Sequence, residues 1–194
     1  RIQSELFKII LSTNSFTVLS KMSENGIMGK ILPGEVRMSE FSRLLCLEGA
    51  DSDPIRRLAI LLTTPAEKVI ETLKLSNKMA DYLTFYCEQE IDVSEDPKEI
   101  KRLFYEMRKM DLLGLLLIKT ALNPKYKKML NVAHTIAQNW SVPTFPLRGL
   151  DLLKLGMKPG VELGNLLKKV ERWWILSGFK YNKEDCLNWV RDHY

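Results

Sequence analysis

Four dipeptides constrain this chain more than any other feature: Asp53-Pro54, Thr64-Pro65, Asp96-Pro97 and Asn123-Pro124. In each, a side chain able to accept a hydrogen bond from a helix's orphan N–H groups precedes a proline. At the first helical position the proline's missing N–H costs nothing, and the ring pushes the preceding residue out of the α region. Each pair therefore predicts a helix start. Glu67 and Glu99 stand three residues after Thr64 and Asp96, placed to reach back to the cap backbone. Ser76 and Asn182 are further cap candidates. Apolar residues follow at spacings of three and four: Leu58, Leu61 and Leu62; Val69, Ile70 and Leu73; Ile100, Leu103, Phe104 and Met107. No segment sustains strand alternation. The expected fold is all-α, a bundle-like array of about nine or ten short helices with tight turns.

Length and composition exclude several classes. With 194 residues, 45% apolar and 27% charged, the chain can bury a real core as one or two domains. The longest apolar run, Leu112 to Ile118 with Gly114 inside it, is far too short for a membrane span, so no membrane partner is expected. Cys46, Cys87 and Cys186 are odd in number and lack CxxC spacing, which argues against a disulfide framework or zinc ribbon and fits a reducing, cytoplasmic compartment. His134 lies within a helical pattern and reads as a structural or solvent-facing residue, and His193 is next to last. There is no GxxxxGK[ST] loop, no GxGxxG after a strand and no HExxH. No catalytic residue and no metal ligand is assigned.

Charge is uneven. Residues 1–96 hold 11 Lys and Arg against 15 Asp and Glu, and residues 97–194 hold 18 against 9. A basic half on an acidic half suits a protein that meets a polyanion at one end, although lysine-rich helices can also be simple solvated faces. The texture changes at Ser141 to Pro146 (SVPTFP), an extended connector. Beyond it, Gly149, Gly156, Gly160, Gly164 and Gly178 are half of all ten glycines, so a boundary is placed at residue 143.

The stretch Phe145 to Phe179 carries the most chemistry. A short helix from Asp151 to Leu155 is expected to end at Gly156, which tolerates a left-handed cap. Pro159 suits the first position of a longer helix with Glu162 in its first turn, and Gly160 leaves the backbone N–H groups unobstructed. Those groups, the positive end of the helix dipole and Lys158 together read as a phosphate seat, against the alternative that the Pro-Gly junction is only a tight turn. Gly164, one turn on, admits either another helix or a sugar-phosphate backbone. The device resembles a helix-hairpin-helix that grips nucleic acid without reading bases. Leu163, Leu166, Leu167, Val170, Trp173 and Trp174 form an apolar stripe that reads as core, with one indole left at a surface.

The same stretch resembles the C-terminal part of the bacterial CCA-adding enzymes and poly(A) polymerases, the class II tRNA nucleotidyltransferases. Pro146, Gly149, Asp151, Leu152, Gly156, Pro159, Gly160, Gly164 and Leu167 fill every fixed place of that family's tail pattern. RIQSELFKII at the start is similar to the family's R-I-x-x-E-L-x-K helix, and Met22 to Gly26 through Ile31 to Pro33 resembles the segment after it. Asp53 to Ala59 (DPIRRLA) and Leu73 to Asn77 (LKLSN) are similar to its body helices.

The resemblance implies residues 1–34 as the end of a helical neck, 35–142 as an RNA-binding body and 143–194 as a tail. It also implies a segment upstream of Arg1 carrying the catalytic head and the rest of the neck, where carboxylate-bound Mg²⁺ and ATP or CTP are expected. This chain alone is then expected to hold no cofactor and to be inactive. The expected partners are tRNA, by its acceptor arm and elbow, and the head and neck of the same polypeptide. Arg148, Gly149, Lys154, Lys158 and Gly160 are the tail residues expected to bind RNA; Lys125, Lys127 and Lys128 add a second basic cluster on charge alone. Whether the product is CCA, a terminal A or a poly(A) tail is not written in these residues. The competing reading is a helical protein-interaction scaffold whose basic surface meets an acidic partner.

Overall fold

The computed structural model describes residues 1–107 and 109–194, without the side chains at 109 and 110. Among the described residues there are thirteen α-helices in chain order: α1 (Ile2–Leu11), α2 (Ser15–Glu24), α3 (Met28–Ile31), α4 (Met38–Glu48), α5 (Pro54–Leu61), α6 (Ala66–Leu73), α7 (Asn77–Glu88), α8 (Pro97–Glu106), α9 (Lys109–Leu122), α10 (Lys127–Asn139), α11 (Gly149–Lys154), α12 (Val161–Leu176) and α13 (Lys183–His193). A 3₁₀ turn, Pro124–Tyr126, precedes α10. The fold is all-α; among the described residues the β pairing found is an isolated antiparallel bridge between Val36 and Leu62. The count exceeds the nine or ten expected; α3, of four residues, is too short to carry a periodic signal of its own, whereas α11 is the short helix expected before Gly156.

The predicted caps mostly form. Asp53 accepts from the Arg56 N–H at 2.6 Å, Asp96 from Lys98, Asn123 from Lys125, and Ser76 from Met79. Asn182 accepts from both Glu184 and Asp185, while the Asp185 carboxylate takes the Asn182 N–H. Thr64 departs from expectation. Its hydroxyl donates to the Pro33 carbonyl, 3.1 Å away, and α6 begins one residue later than expected, with Pro65 rather than Thr64 at the cap position. Glu99 pairs with Arg102 at 3.0 Å.

The chain forms two compact units, Arg1–Glu95 with Met110–His134, and Asp96–Lys109 with Thr135–Tyr194. In unit 1, α5 is buried from Ile55 through Leu61 and packs against α1, α4 and α7. That explains a sequence apolar on every face. Its two arginines are tolerated because Glu48, at the end of α4, reaches both: Arg56 Nη2 lies 3.1 Å from its carboxylate and Arg57 Nε also pairs with it. Arg57 donates in addition to the Ile10 carbonyl at 2.7 Å. Along α9, Gly114 lies beneath α7, where a Cβ would collide with the Tyr86 hydroxyl. Among the described residues no helix is long and apolar enough to cross a membrane.

Unit 2 is built on Leu147, Leu152, Leu166, Val170, Trp174, Cys186 and Val190, all buried. Tyr105 of α8 packs edge-on against Trp174, centroids 5.7 Å apart, and its hydroxyl donates to Glu171. Both α11 and α12 end in the same way. Gly156 (φ +91°) and Gly178 (φ +78°) take the left-handed position, and the next residue's N–H reaches back to Leu152 or Trp174. At the second of these ends Phe179 itself has φ +63°, and its ring stands perpendicular to Trp174 with centroids 5.0 Å apart. The aromatic contact offsets the cost of a non-glycine residue in that region.

Candidate nucleic-acid interface

The tail residues singled out in the sequence lie on the α11–α12 hairpin of unit 2. Arg148 is exposed just before α11, and its N–H donates to Asp151 Oδ2 at 2.8 Å. Asp151 Oδ1 in turn takes Lys183 Nζ at 2.6 Å, tying α11 to the start of α13. These two donors, Lys183 above all, hold the Asp151 carboxyl below its ordinary value. Lys154 and Lys158 are exposed on either side of Gly156.

The longer helix starts later than the sequence implied. Gly160 is the cap residue with φ +153°, a conformation L side chains rarely adopt, so Pro159 lies outside the helix and Val161 opens it. Gly160 offers no side-chain acceptor to the first-turn N–H groups of this 16-residue helix. A Cβ at Gly156, Gly160 or Gly164 would meet nothing within 4 Å. Among the described residues, then, none packs closely enough on Gly164 to require a glycine there. At Gly149 a Cβ would sit in ordinary contact with Leu163, 3.5 Å away. Around this glycine-lined tip, Val161 (81% exposed) and Leu150 (68%) present apolar side chains to solvent, a feature the sequence pattern did not signal.

Lys125, Lys127 and Lys128 belong to unit 1. All three are exposed; Lys128 stands 3.6 Å from Glu95 and Lys125 Nζ lies 5.0 Å from the Tyr126 ring centroid. Unit 1 carries 15 Lys and Arg against 15 Asp and Glu, and unit 2 carries 14 against 9, so the whole formal charge of +5 resides in unit 2. That separates the two lysine clusters: one sits on a balanced surface and the other on a basic one.

Sequence reasoning missed an aromatic column in unit 2. The rings of Tyr181 and Trp173 are parallel, 5° apart with centroids at 4.4 Å. Trp173 stacks on Trp189 at 5.6 Å, and Trp189 on His193 at 4.3 Å. Of the adjacent tryptophans in α12, Trp174 is core and Trp173 is half-buried in this column, in keeping with the division expected of the stripe. The column escaped notice because its rings come from α12, a turn and α13, which share no period.

In unit 1 a cavity of about 470 Å³ is lined by Asp53, Arg56, Ser76, Tyr82 and Tyr86, among others. Asp53 and Ser76 are engaged as helix caps and Arg56 by Glu48, so this polar lining serves the fold. His134 is exposed on α10. Among the described residues no three His, Cys, Asp or Glu side chains converge as metal ligands would.

No family model matches the chain. Among curated proteins, the mitochondrial CCA tRNA nucleotidyltransferase 1 of Mus musculus aligns with 98% of this chain at 26% identity, covering 45% of that enzyme. The proteins of the same name from Homo sapiens and Danio rerio are each 37% identical over 54 and 51 residues, which is 28% and 26% of this chain and 12% of each relative. The chain thus spans about half the length of the curated relative it matches from end to end. The similarity is to CCA-adding enzymes, and these relatives are animal and mitochondrial by name rather than bacterial.

Proposed function

We propose that this chain is the tRNA-holding portion of a template-independent nucleotidyltransferase that adds CCA, or its terminal A, to tRNA 3′ ends. The observation that carries the reading is similarity along 98% of the chain to a CCA tRNA nucleotidyltransferase, coupled with an open, basic, glycine-lined helix hairpin. In this reading the exposed cations Arg148, Lys154 and Lys158 and the first-turn N–H groups of α12 hold phosphates, with Gly149 and Gly160 shaping the backbone around them. Phosphate contacts suit an enzyme that must accept every tRNA. Lys125, Lys127 and Lys128 add a secondary contact on the acceptor arm or elbow. Catalysis, with Mg²⁺ and CTP or ATP, belongs to a head and neck outside these residues, and this chain alone is inactive. Three free thiols without a partner suit a reducing compartment such as the cytoplasm.

The test is binding of the 194-residue chain to labelled folded tRNA across a salt series, with single-stranded RNA of equal length as competitor. Folded tRNA is preferred, and Lys158→Glu weakens binding alike for different tRNAs while lowering the salt slope by about one or more. A loss confined to one tRNA, or no binding at low salt by the folded chain, overturns the reading. Preference for an acidic polypeptide over tRNA puts the protein-scaffold reading in its place.

A further inference from the structure

We propose that Tyr181, backed by Trp173 and Trp189, is a stacking platform for an unpaired base of a folded RNA. The inference rests on the RNA-holding reading and adds a second, chemically distinct site to it. The aromatic pairs of the unit 2 core meet tilted or edge-on: Trp174 with Phe179 at 84° and with Tyr105 at 72°. The column is different. Tyr181 and Trp173 are parallel at 5°, Trp173 and Trp189 stack at 29°, and the column ends at the surface on Tyr181, which is 41% exposed although Trp173 covers one face. A planar aromatic group laid on the outer face extends a stack that already exists.

The platform is also rigid. The Tyr181 carbonyl accepts the Trp174 indole N–H at 2.8 Å, and the next residue, Asn182, is locked in the capping box of α13. Little conformational freedom is left for a ligand to remove. Lys180 and Lys183 flank Tyr181 in sequence and both are exposed, Lys183 with its Nζ on Asp151. Through Lys183 and Asp151 the platform joins Arg148 at the foot of the α11–α12 hairpin. Trp173 lies twelve residues, or about 18 Å of helix, beyond Val161, so base stacking and the phosphate seat engage different nucleotides.

The ligand class follows from geometry. Bases within a duplex are covered on both faces, whereas loop or end nucleotides present a free π face to an aromatic ring. Because every base has such a face, the contact is tolerant of sequence.

The experiment uses the full chain and compares folded tRNA with a blunt RNA duplex of similar charge, which offers phosphates throughout, no unpaired base and, beyond its two terminal pairs, no free base face. Tyr181→Ala lowers affinity for tRNA by about fivefold or more and leaves duplex affinity unchanged. Tyr181→Phe, which keeps the π face, restores tRNA affinity. In the unsubstituted chain tRNA quenches tryptophan emission, the duplex does not, and Tyr181→Ala abolishes the difference. Thermal melts establish that each variant is folded. If Tyr181→Ala binds both RNAs as the parent does, the platform is overturned and the hairpin reading stands. If the parent binds neither RNA, the proposed function itself fails.

Discussion

Asp151 bridges two helix starts: one carboxylate oxygen lies 2.6 Å from Lys183 Nζ at the head of α13, and the other accepts the Arg148 N–H at 2.8 Å. The sequence pattern places an aspartate here as part of a nucleic-acid-binding motif, yet its side chain is turned inward to the fold. It positions Arg148 and Lys183 rather than facing a phosphate, with which a carboxylate would repel.

The bridge makes stability depend on pH. The folded-state pKa of Asp151 is depressed, chiefly by Lys183 and then by the Arg148 N–H, so its contribution is present above the unfolded value and disappears as pH falls through the folded one. The window opens below about pH 4. Thermal unfolding of the parent and Asp151→Asn between pH 2 and 6 should show the parent higher at pH 6 and the gap closing toward pH 2. A gap that stays constant over that range would mean the ionised carboxylate is not what stabilises the junction.

Glu48 is the counter-charge for two buried guanidinium groups, with its own side chain fully inaccessible. Glu48→Gln leaves Arg56 and Arg57 with neutral acceptors only, the new amide oxygen and the Asp51 and Ile10 carbonyls, and removal of a buried charged partner costs about 3–5 kcal/mol. Urea unfolding should report a loss of that size. A loss under about 1 kcal/mol would mean that water reaches the arginines.

Local chemistry was the legible part of this fold. Asp53, Ser76, Asp96, Asn123 and Asn182 cap helices because each acts on N–H groups two or three residues away. Thr64 has the same chemistry but bonds to Pro33, thirty-one residues distant, and such a competitor leaves no mark nearby. The start of α12 was misplaced for a related reason: proline favours a first helical position, but Gly160 beside it can adopt φ +153°, which delays the helix. At the candidate site, the glycines and lysines of the hairpin are contiguous and so could be read directly. The Tyr181–Trp173–Trp189 column required the packing of α13 beside α12.

The three thiols should differ sharply in reactivity. Cys46 is exposed, whereas burial, followed by the Glu88 charge, pushes the Cys87 thiol up to about 11, and Cys186 is buried with its thiol also raised. At pH 8 the Cys87 shift alone leaves roughly a hundredfold less thiolate than an ordinary cysteine. A maleimide time course should label one thiol per native chain quickly and all three after denaturation. Two fast thiols in the native chain would contradict the packing around α7 or α13.

Gly164 separates stability from binding. It lies inside α12 with open space where a Cβ would stand, so alanine gains helix propensity and meets no clash. Gly164→Ala should stabilise the free chain by about 0.5–1 kcal/mol. If an RNA backbone approaches α12 at that turn, the same methyl group obstructs it, and tRNA affinity should fall while the melting temperature rises. Opposite signs in the two measurements would mark the glycine as kept for the ligand. A rise in both would place the RNA elsewhere on the hairpin.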